Sequence, residues 1–115
     1  MNHSNNKRTF GRERKVRNAL LKSLALSLVL NGKIKTTDAK ARELRPYAEK
    51  LVTQGRLGTT AARRLLSAKI GAEGAEKMMK VVALKYIGRA GGYTRITKLP
   101  ARVSDAALMA VIEFV

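Results

Sequence analysis

The strongest constraint on this chain is its excess of positive charge. Lys and Arg together number 24 against 8 Asp and Glu, which gives a formal net charge of +16. Such a surface repels itself and destabilises the compact state unless a polyanion neutralises it. Hydrophobic residues still make up 45% of the 115 residues, too large a share for a disordered basic tail. We therefore expect one folded domain with a cationic surface. The phosphate backbone of a nucleic acid is the partner that this surface favours.

Composition also argues against several other classes of protein. The chain has no Cys, so disulfide frameworks, zinc ribbons and iron–sulfur sites are excluded. Its single His, His3, lies near the start of the chain and leaves no second His for a metal site. No apolar run reaches the roughly 18 residues of a membrane span, and no signal peptide is recognisable. We expect no catalytic residue, cofactor, metal, small-molecule substrate or membrane contact, and a cytoplasmic location.

The basic residues are concentrated near the N-terminus. Residues 1–22 hold seven basic residues and a single acid, Glu13. Residues 1–11 are polar and lack apolar periodicity, which predicts an extended basic arm. We expect residues 1–15 to be disordered in the free protein and to fold as they bind RNA. Residues 12–115 are predicted to form a single globular RNA-binding domain.

Helical periodicity governs the first part of this domain. The sequence predicts a helix over 12–30, ended by Asn31-Gly32 because both residues tolerate the left-handed conformation of a helix C-terminus. A short strand over 33–37 follows, and Thr37 is placed to cap a second helix that runs to about Gln54. The apolar face of the first helix consists of residues at helical spacing: Val16, Leu20, Leu24 and Leu28.

Proline and glycine divide the remaining helical region. Pro46 predicts a kink or a boundary in the second helix, which Gly55 and Gly58 then break. A short third helix, capped by Thr59 or Thr60, is expected to end at Gly71. A fourth is expected over 72–87. Its apolar positions include two methionines, and we interpret them as core rather than as an adaptable binding groove.

Near the C-terminus the hydrophobic period changes to two. Residues 93–99 and 108–115 predict two strands joined by a turn over 100–105. The element order is helix, strand, three helices, two strands. It predicts an α+β domain of two layers, with about four helices packed on one side of a small three-stranded sheet.

The glycine-rich segment 88–92 is not a nucleotide-binding loop. It lacks the Gly-Lys-Ser/Thr ending of a P-loop and the G-x-G-x-x-G spacing, and it leads from a helix into a strand. Its first four residues match the bare G-x-x-G of KH domains, but in those domains the motif joins two helices. We interpret the segment as a helix stop, where Arg89 and Arg95 flank backbone N–H groups open to phosphate. Tyr93 is placed to contact RNA.

Two stretches carry a family resemblance. Residues 34–45 read IKTTDAKARELR, and GGYTRI at 91–96 precedes AVIEFV at 110–115. In this order and spacing they resemble the bacterial ribosomal protein L17 family, and the resemblance extends over essentially the whole chain. It implies a compact α+β domain with a basic N-terminal arm. It also implies a structural role in which the protein binds large-subunit ribosomal RNA near the outer end of the peptide exit tunnel, beside other ribosomal proteins. An organellar ribosome stays open as the location.

The predicted RNA-binding residues lie in the arm, at the start of the first helix, at the first strand–helix junction and around the glycine-rich segment. They are His3, Lys7, Arg8, Arg12, Arg14, Lys15, Arg17, Lys35, Lys40, Arg42, Arg89, Tyr93 and Arg95. The alternative is a free-standing nucleic-acid-binding protein of the nucleoid or RNA-assembly type. A DNA reader of that kind needs a recognition helix or a dimer, and no recognition helix stands out. A secreted, membrane-active cationic protein is disfavoured by the missing signal peptide.

Overall fold

The computed structural model describes residues 14–115 of the chain. Within this range three α-helices and three β-strands occur, with one π-helical turn and one 3-10 turn before β2. The α+β class is confirmed. The predicted arm, with His3, Lys7, Arg8 and the neighbouring Arg12, lies outside the described residues. The elements are α1 Arg14–Asn31, β1 Lys33–Thr37, α2 Asp38–Leu57, α3 Thr60–Lys77, the π turn Met78–Val82, the 3-10 turn Ala83–Tyr86, β2 Thr94–Leu99 and β3 Met109–Phe114.

The sheet is antiparallel and has β3 at its centre, in the order β1-β3-β2. Ile34 of β1 and Ile96 of β2 both pair with Ile112 of β3. Because side chains alternate along a strand, these three residues share one face, and they pack with the helical core. We call the opposite side the open face. By the same alternation it carries Lys33, Lys35, Arg95, Thr97, Val111 and Glu113.

The core forms around α2. Buried residues of this helix pack in one cluster with residues of α1, α3, the π and 3-10 turns and β3. Burying each large aliphatic side chain contributes roughly 1.5–3 kcal/mol, so this cluster is the main source of stability. The largest fully buried aliphatic members are Leu28, Val29, Leu44, Val52, Leu66, Met78 and Ile112.

Two threonines begin helices as the sequence predicts. The Thr37 hydroxyl accepts a hydrogen bond from the Lys40 backbone N–H at 3.3 Å. The Thr59 hydroxyl accepts one from the Ala62 N–H at 3.0 Å. Each bond satisfies one of the backbone donors that a helix N-terminus leaves unpaired.

α2 extends to Leu57, beyond its predicted end near Gln54, and of the two glycines expected to break it only Gly58 does so. The helix runs through Pro46 and Gly55 and ends only before Gly58, whose φ is 66°. Gly55 is needed for packing, because a Cβ there would lie 2.9 Å from Cγ of Met78 and 3.0 Å from Cβ of Ala83. A residue that weakens a helix in isolation here lets α2 approach the π and 3-10 turns closely.

The four predicted helices are not confirmed, because the structure has three α-helices. Gly71, expected to end a helix, interrupts α3 with non-helical angles of φ 81° and ψ 169°, so the break predicted there is confirmed although the chain is helical on both sides of it. The residues of the expected fourth helix are divided among the end of α3, the π turn and the 3-10 turn. These changes of pitch accompany burial of Met78, Val82 and Tyr86, so the interpretation of this stretch as core is confirmed.

The buried face of α1 differs from the predicted one by about one residue. Leu28 is buried as predicted and Leu24 packs partly buried against the core, but Val16 is half exposed, and Arg17, Leu21 and Ala25 are buried instead. Contacts with the rest of the fold cause this difference. Ala25 packs within the core, and the inward-facing Arg17 forms an ion pair with Glu43 of α2.

Candidate nucleic-acid interface

The structure places the described candidate residues in three groups. The second and third groups meet at the open face, where Lys35 and Arg95 project from the two outer strands. The groups are Arg14, Lys15 and Arg17 at the start of α1; Lys35, Lys40 and Arg42 at the β1–α2 junction; and Arg89, Tyr93 and Arg95 around the glycine-rich segment.

Arg17 of the first group is ion-paired with α2. Its Nη1 lies 3.2 Å from Oε1 of Glu43, and only 11% and 16% of these two side chains are exposed. Breaking a buried pair is strongly destabilising because it leaves an uncompensated charge. Arg17 therefore fixes α1 against α2, while its neighbours Arg14 and Lys15 remain exposed.

At the β1–α2 junction the cations differ in what they contact. Lys35 is exposed on the open face, and Lys40 is half-buried in the first turn of α2. Arg42 is partly exposed, with its Nε 3.2 Å from Oδ2 of Asp38 one helical turn earlier. Only 13% of the Asp38 side chain is exposed, so this carboxylate depends on Arg42 more than a fully solvated partner would.

Arg89 closes the glycine-rich segment on itself. Its Nε donates to the carbonyl of Gly91 at 3.2 Å and its Nη2 to that of Gly92 at 2.7 Å. Gly91 and Gly92 have φ of 104° and 67°, which side chains rarely permit. The exposed guanidinium thus sits on a loop with a defined conformation.

Tyr93 does not have the exposed position expected for a residue that contacts RNA. Only 1% of it is exposed. Its hydroxyl donates to the Arg89 carbonyl at 2.9 Å and accepts from Nη1 of Arg56 at 2.6 Å. Its ring centroid lies 5.0 Å from that of Tyr86. The ring is part of the core, where no base can stack on it.

Glu49 of α2 anchors the start of β2. Its Oε2 accepts hydrogen bonds from the Tyr93 N–H at 3.0 Å, the Thr94 N–H at 3.0 Å and the Thr94 hydroxyl at 2.8 Å. Charge-assisted bonds are stronger than neutral ones. Sequence reasoning missed Glu49 and Arg56, and no local pattern links them to residues about 40 positions away.

The open face concentrates positive charge. Arg95 donates from Nε and Nη2 to Oε1 of Glu113 at 3.0 and 2.7 Å. Lys33 pairs with the same Glu113 from the other side of β3, and Lys35 lies two residues further along β1. Three cations therefore share this face with one acid. Sequence reasoning missed Lys33, although its spacing from Lys35 within a strand places both on the same face.

Local contacts and burial shift the pKa values of several side chains. On the loop between β2 and β3, the hydrogen bond from Arg102 lowers the pKa of Asp105 to about 2. Burial raises the pKa of Tyr47 above its ordinary value.

Within residues 14–115 no three His, Cys, Asp or Glu side chains could hold a metal ion. In the same range, no helix has the length and apolar character needed to span a bilayer.

The fold and the site define a basic α+β domain with groups of exposed cations on its surface. The family model of ribosomal protein L17 matches residues 20–115. The chain belongs to this family, which is one of structural, non-enzymatic ribosomal proteins.

Curated relatives match over the whole chain. The large ribosomal subunit protein bL17 of Sulfurimonas denitrificans is 45% identical, with 100% of both chains covered. That of Novosphingobium aromaticivorans is 47% identical over 100% of this chain and 82% of its own length. That of Methylacidiphilum infernorum is 44% identical, covering 99% and 88%. The resemblance to this family in the sequence is thereby confirmed.

Proposed function

We propose that this protein is a structural component of the large ribosomal subunit and binds large-subunit ribosomal RNA through its basic surfaces. The observation that carries the proposal is the open face. There Lys33 and Arg95 flank Glu113 from the two outer strands, and Lys35 lies two residues from Lys33 on the same face.

Phosphate and shape recognition suit this surface better than base stacking. Tyr86 and Tyr93 are buried, so neither ring is available to a base in the described fold. Exposed lysines and arginines on strands and at a helix start fit the phosphates of folded RNA, whose counterions are released on binding. The exposed side chains of the three groups supply further cations outside the open face.

The predicted arm belongs to the same proposal. His3, Lys7, Arg8 and Arg12 would add phosphate contacts beyond the described residues. The family resemblance supports a position near the outer end of the peptide exit tunnel, beside other large-subunit proteins, in a cytoplasmic ribosome.

Sedimentation of a cell lysate tests the assignment to the ribosome. With the protein followed by mass spectrometry, we expect about one copy per large subunit, released only at high salt. Recovery at the top of the gradient, or with DNA, would favour the free-standing nucleic-acid-binding alternative.

A salt titration tests the mode of RNA binding. If about 6–10 phosphates are engaged, affinity for ribosomal RNA should fall roughly 10³–10⁵-fold between about 50 and 200 mM salt. A slope corresponding to one or two ions would contradict an interface that includes the arm. Duplex DNA and anionic vesicles, titrated in parallel, distinguish structured RNA from other polyanions.

A further inference from the structure

A groove of about 180 Å³ lies between α2 and α3. The open face does not include it, and sequence reasoning did not identify it. Its α2 wall comes from one helix face, at positions 47, 50, 51 and 54, and its α3 wall comes from 65, 66 and 69. We call it the interhelical groove.

The floor of the groove is apolar and its mouth is basic. Leu51 and Leu66 are buried, whereas Leu65 is 47% exposed. Lys50 and Lys69 are exposed at the rim. Within residues 14–115 neither lysine forms an ion pair. The groove therefore combines apolar contact area with positive charge that lacks a carboxylate partner.

Tyr47 supplies an aromatic wall to the interhelical groove. The Nζ of Lys69 lies 5.7 Å from the centroid of the Tyr47 ring. The buried hydroxyl of Tyr47 has no hydrogen-bond partner among the described residues. Leaving such a group unpaired costs about 1–3 kcal/mol, so the site is not optimised for stability alone. Further along α2, the amide of Gln54 offers both a donor and an acceptor.

A second groove of about 390 Å³ extends the first toward α1 and shares Tyr47, Lys50 and Lys69 with it. Arg17 and Glu43 also line this extension, where they pair with each other. The path from the interhelical groove to the start of α1 is thus continuous and keeps the two lysines at its centre.

We propose that the interhelical groove binds one unstacked nucleotide of the ribosomal RNA. Its base would lie against Tyr47 and the leucines, and its phosphates would contact Lys50 and Lys69. The inference rests on the proposed function and names a site for it. Sequence-specific recognition of RNA usually targets unstacked bases held by side-chain stacking and edge hydrogen bonds. Two unneutralised ammonium groups beside an apolar slot favour a nucleotide over an apolar protein segment.

Ultraviolet cross-linking of the full-length protein to protein-free large-subunit ribosomal RNA tests this site directly. We expect mass spectrometry to find a nucleotide adduct on the tryptic peptide containing Tyr47. No adduct is expected on Tyr86, a buried ring that serves as an internal control.

Charge variants measure the contribution of the rim. The variant Lys50→Gln/Lys69→Gln should weaken RNA binding about tenfold and lower the salt slope by about two. The control Lys80→Gln/Lys85→Gln also removes two positive charges from exposed lysines, one of which, Lys80, pairs with Glu76. It should leave affinity within about twofold of the wild type.

Blocking the groove tests its apolar part. Leu65→Glu should lower affinity and abolish the adduct on the Tyr47 peptide. Leu84→Glu, at a residue 57% exposed outside the groove, should do neither. Circular dichroism of both variants checks that they are folded.

Three results would overturn the site. In the first, the Tyr47 peptide carries no adduct while other peptides cross-link to RNA. In the second, Lys50→Gln/Lys69→Gln binds RNA as tightly as its control variant. In the third, the Tyr47 peptide cross-links to a protein in intact subunits. In each case, if the wild type still binds ribosomal RNA, the result does not contradict the proposed function. Loss of wild-type binding to ribosomal RNA would instead contradict the proposed function itself.

Discussion

The two faces of the sheet are built from the same three strands but differ in what their side chains contact. On the inner face Ile112 is fully buried between Ile34 and Ile96. One residue away, Val111 lies on the open face between Lys35 and Thr97. Adjacent residues of one strand thus belong to different environments, the packed core and the proposed RNA surface. Substitutions on the two faces should therefore change different measurable quantities.

The largest expected effect separates the faces by stability. Ile112→Ala should lower the free energy of unfolding by about 2–5 kcal/mol, because it leaves a cavity in the core. Val111→Ala should cost less than about 1 kcal/mol, because its side chain is already partly solvated. Urea unfolding of both variants measures the difference, and equal losses would contradict the alternation of faces.

The anchor at the start of β2 should have the next largest effect. Glu49→Ala leaves two backbone N–H groups and the Thr94 hydroxyl without their acceptor, so we expect a loss of about 2–4 kcal/mol. Glu73→Ala, at an exposed residue of α3, is the control and should change stability by less than about 0.5 kcal/mol. Similar chemical-denaturation midpoints for the two variants would show that the anchor contributes little.

On the open face the change should appear in binding rather than in stability. Lys33→Gln/Lys35→Gln should weaken binding to ribosomal RNA about tenfold and lower the salt slope by about two. Its unfolding midpoint should match the wild type, because both side chains are exposed. If filter binding shows unchanged affinity, the open face is not part of the interface.

The smallest effect concerns the loop that joins β2 to β3. Nuclear magnetic resonance titration should give Asp105 a pKa of about 2, below its ordinary 3.8, because Arg102 hydrogen-bonds the charged form. A lowered pKa in the folded protein means that the pair stabilises above about pH 3.8. That contribution is lost as the pH falls toward about 2. In Arg102→Gln the pKa of Asp105 should rise toward its ordinary value. An unchanged pKa would show that Arg102 is not the cause of the shift.

Much of the fold is predictable because its signals are local. The caps Thr37 and Thr59 lie at helix starts, and the change of period after 93 marks the strands. Lys35 and Arg95 could be predicted as exposed because period-two spacing separates them from the isoleucines.

The remaining features depend on contacts between distant residues. Tyr93 follows two glycines, so its sequence context suggests exposure, but Glu49 and Arg56 fix it in the core. Gly55 looks like a helix breaker until Met78 is placed against it. The interhelical groove exists only where faces of α2 and α3 meet, and no pattern within either helix specifies the partner face.

The central position of β3 also has a consequence for when the domain can fold. β1 and β2 do not pair with each other. Each forms its strand hydrogen bonds with β3, which follows both of them in the chain. Because synthesis proceeds from the N-terminus, a nascent chain that has not yet emerged through Phe114 holds two strands without their hydrogen-bonding partner. The backbone hydrogen bonds within a helix join residues close in sequence and can form earlier, whereas the residues of β1 must wait for partners 72 to 80 positions later. Completion of the sheet is thus coupled to completion of synthesis through β3.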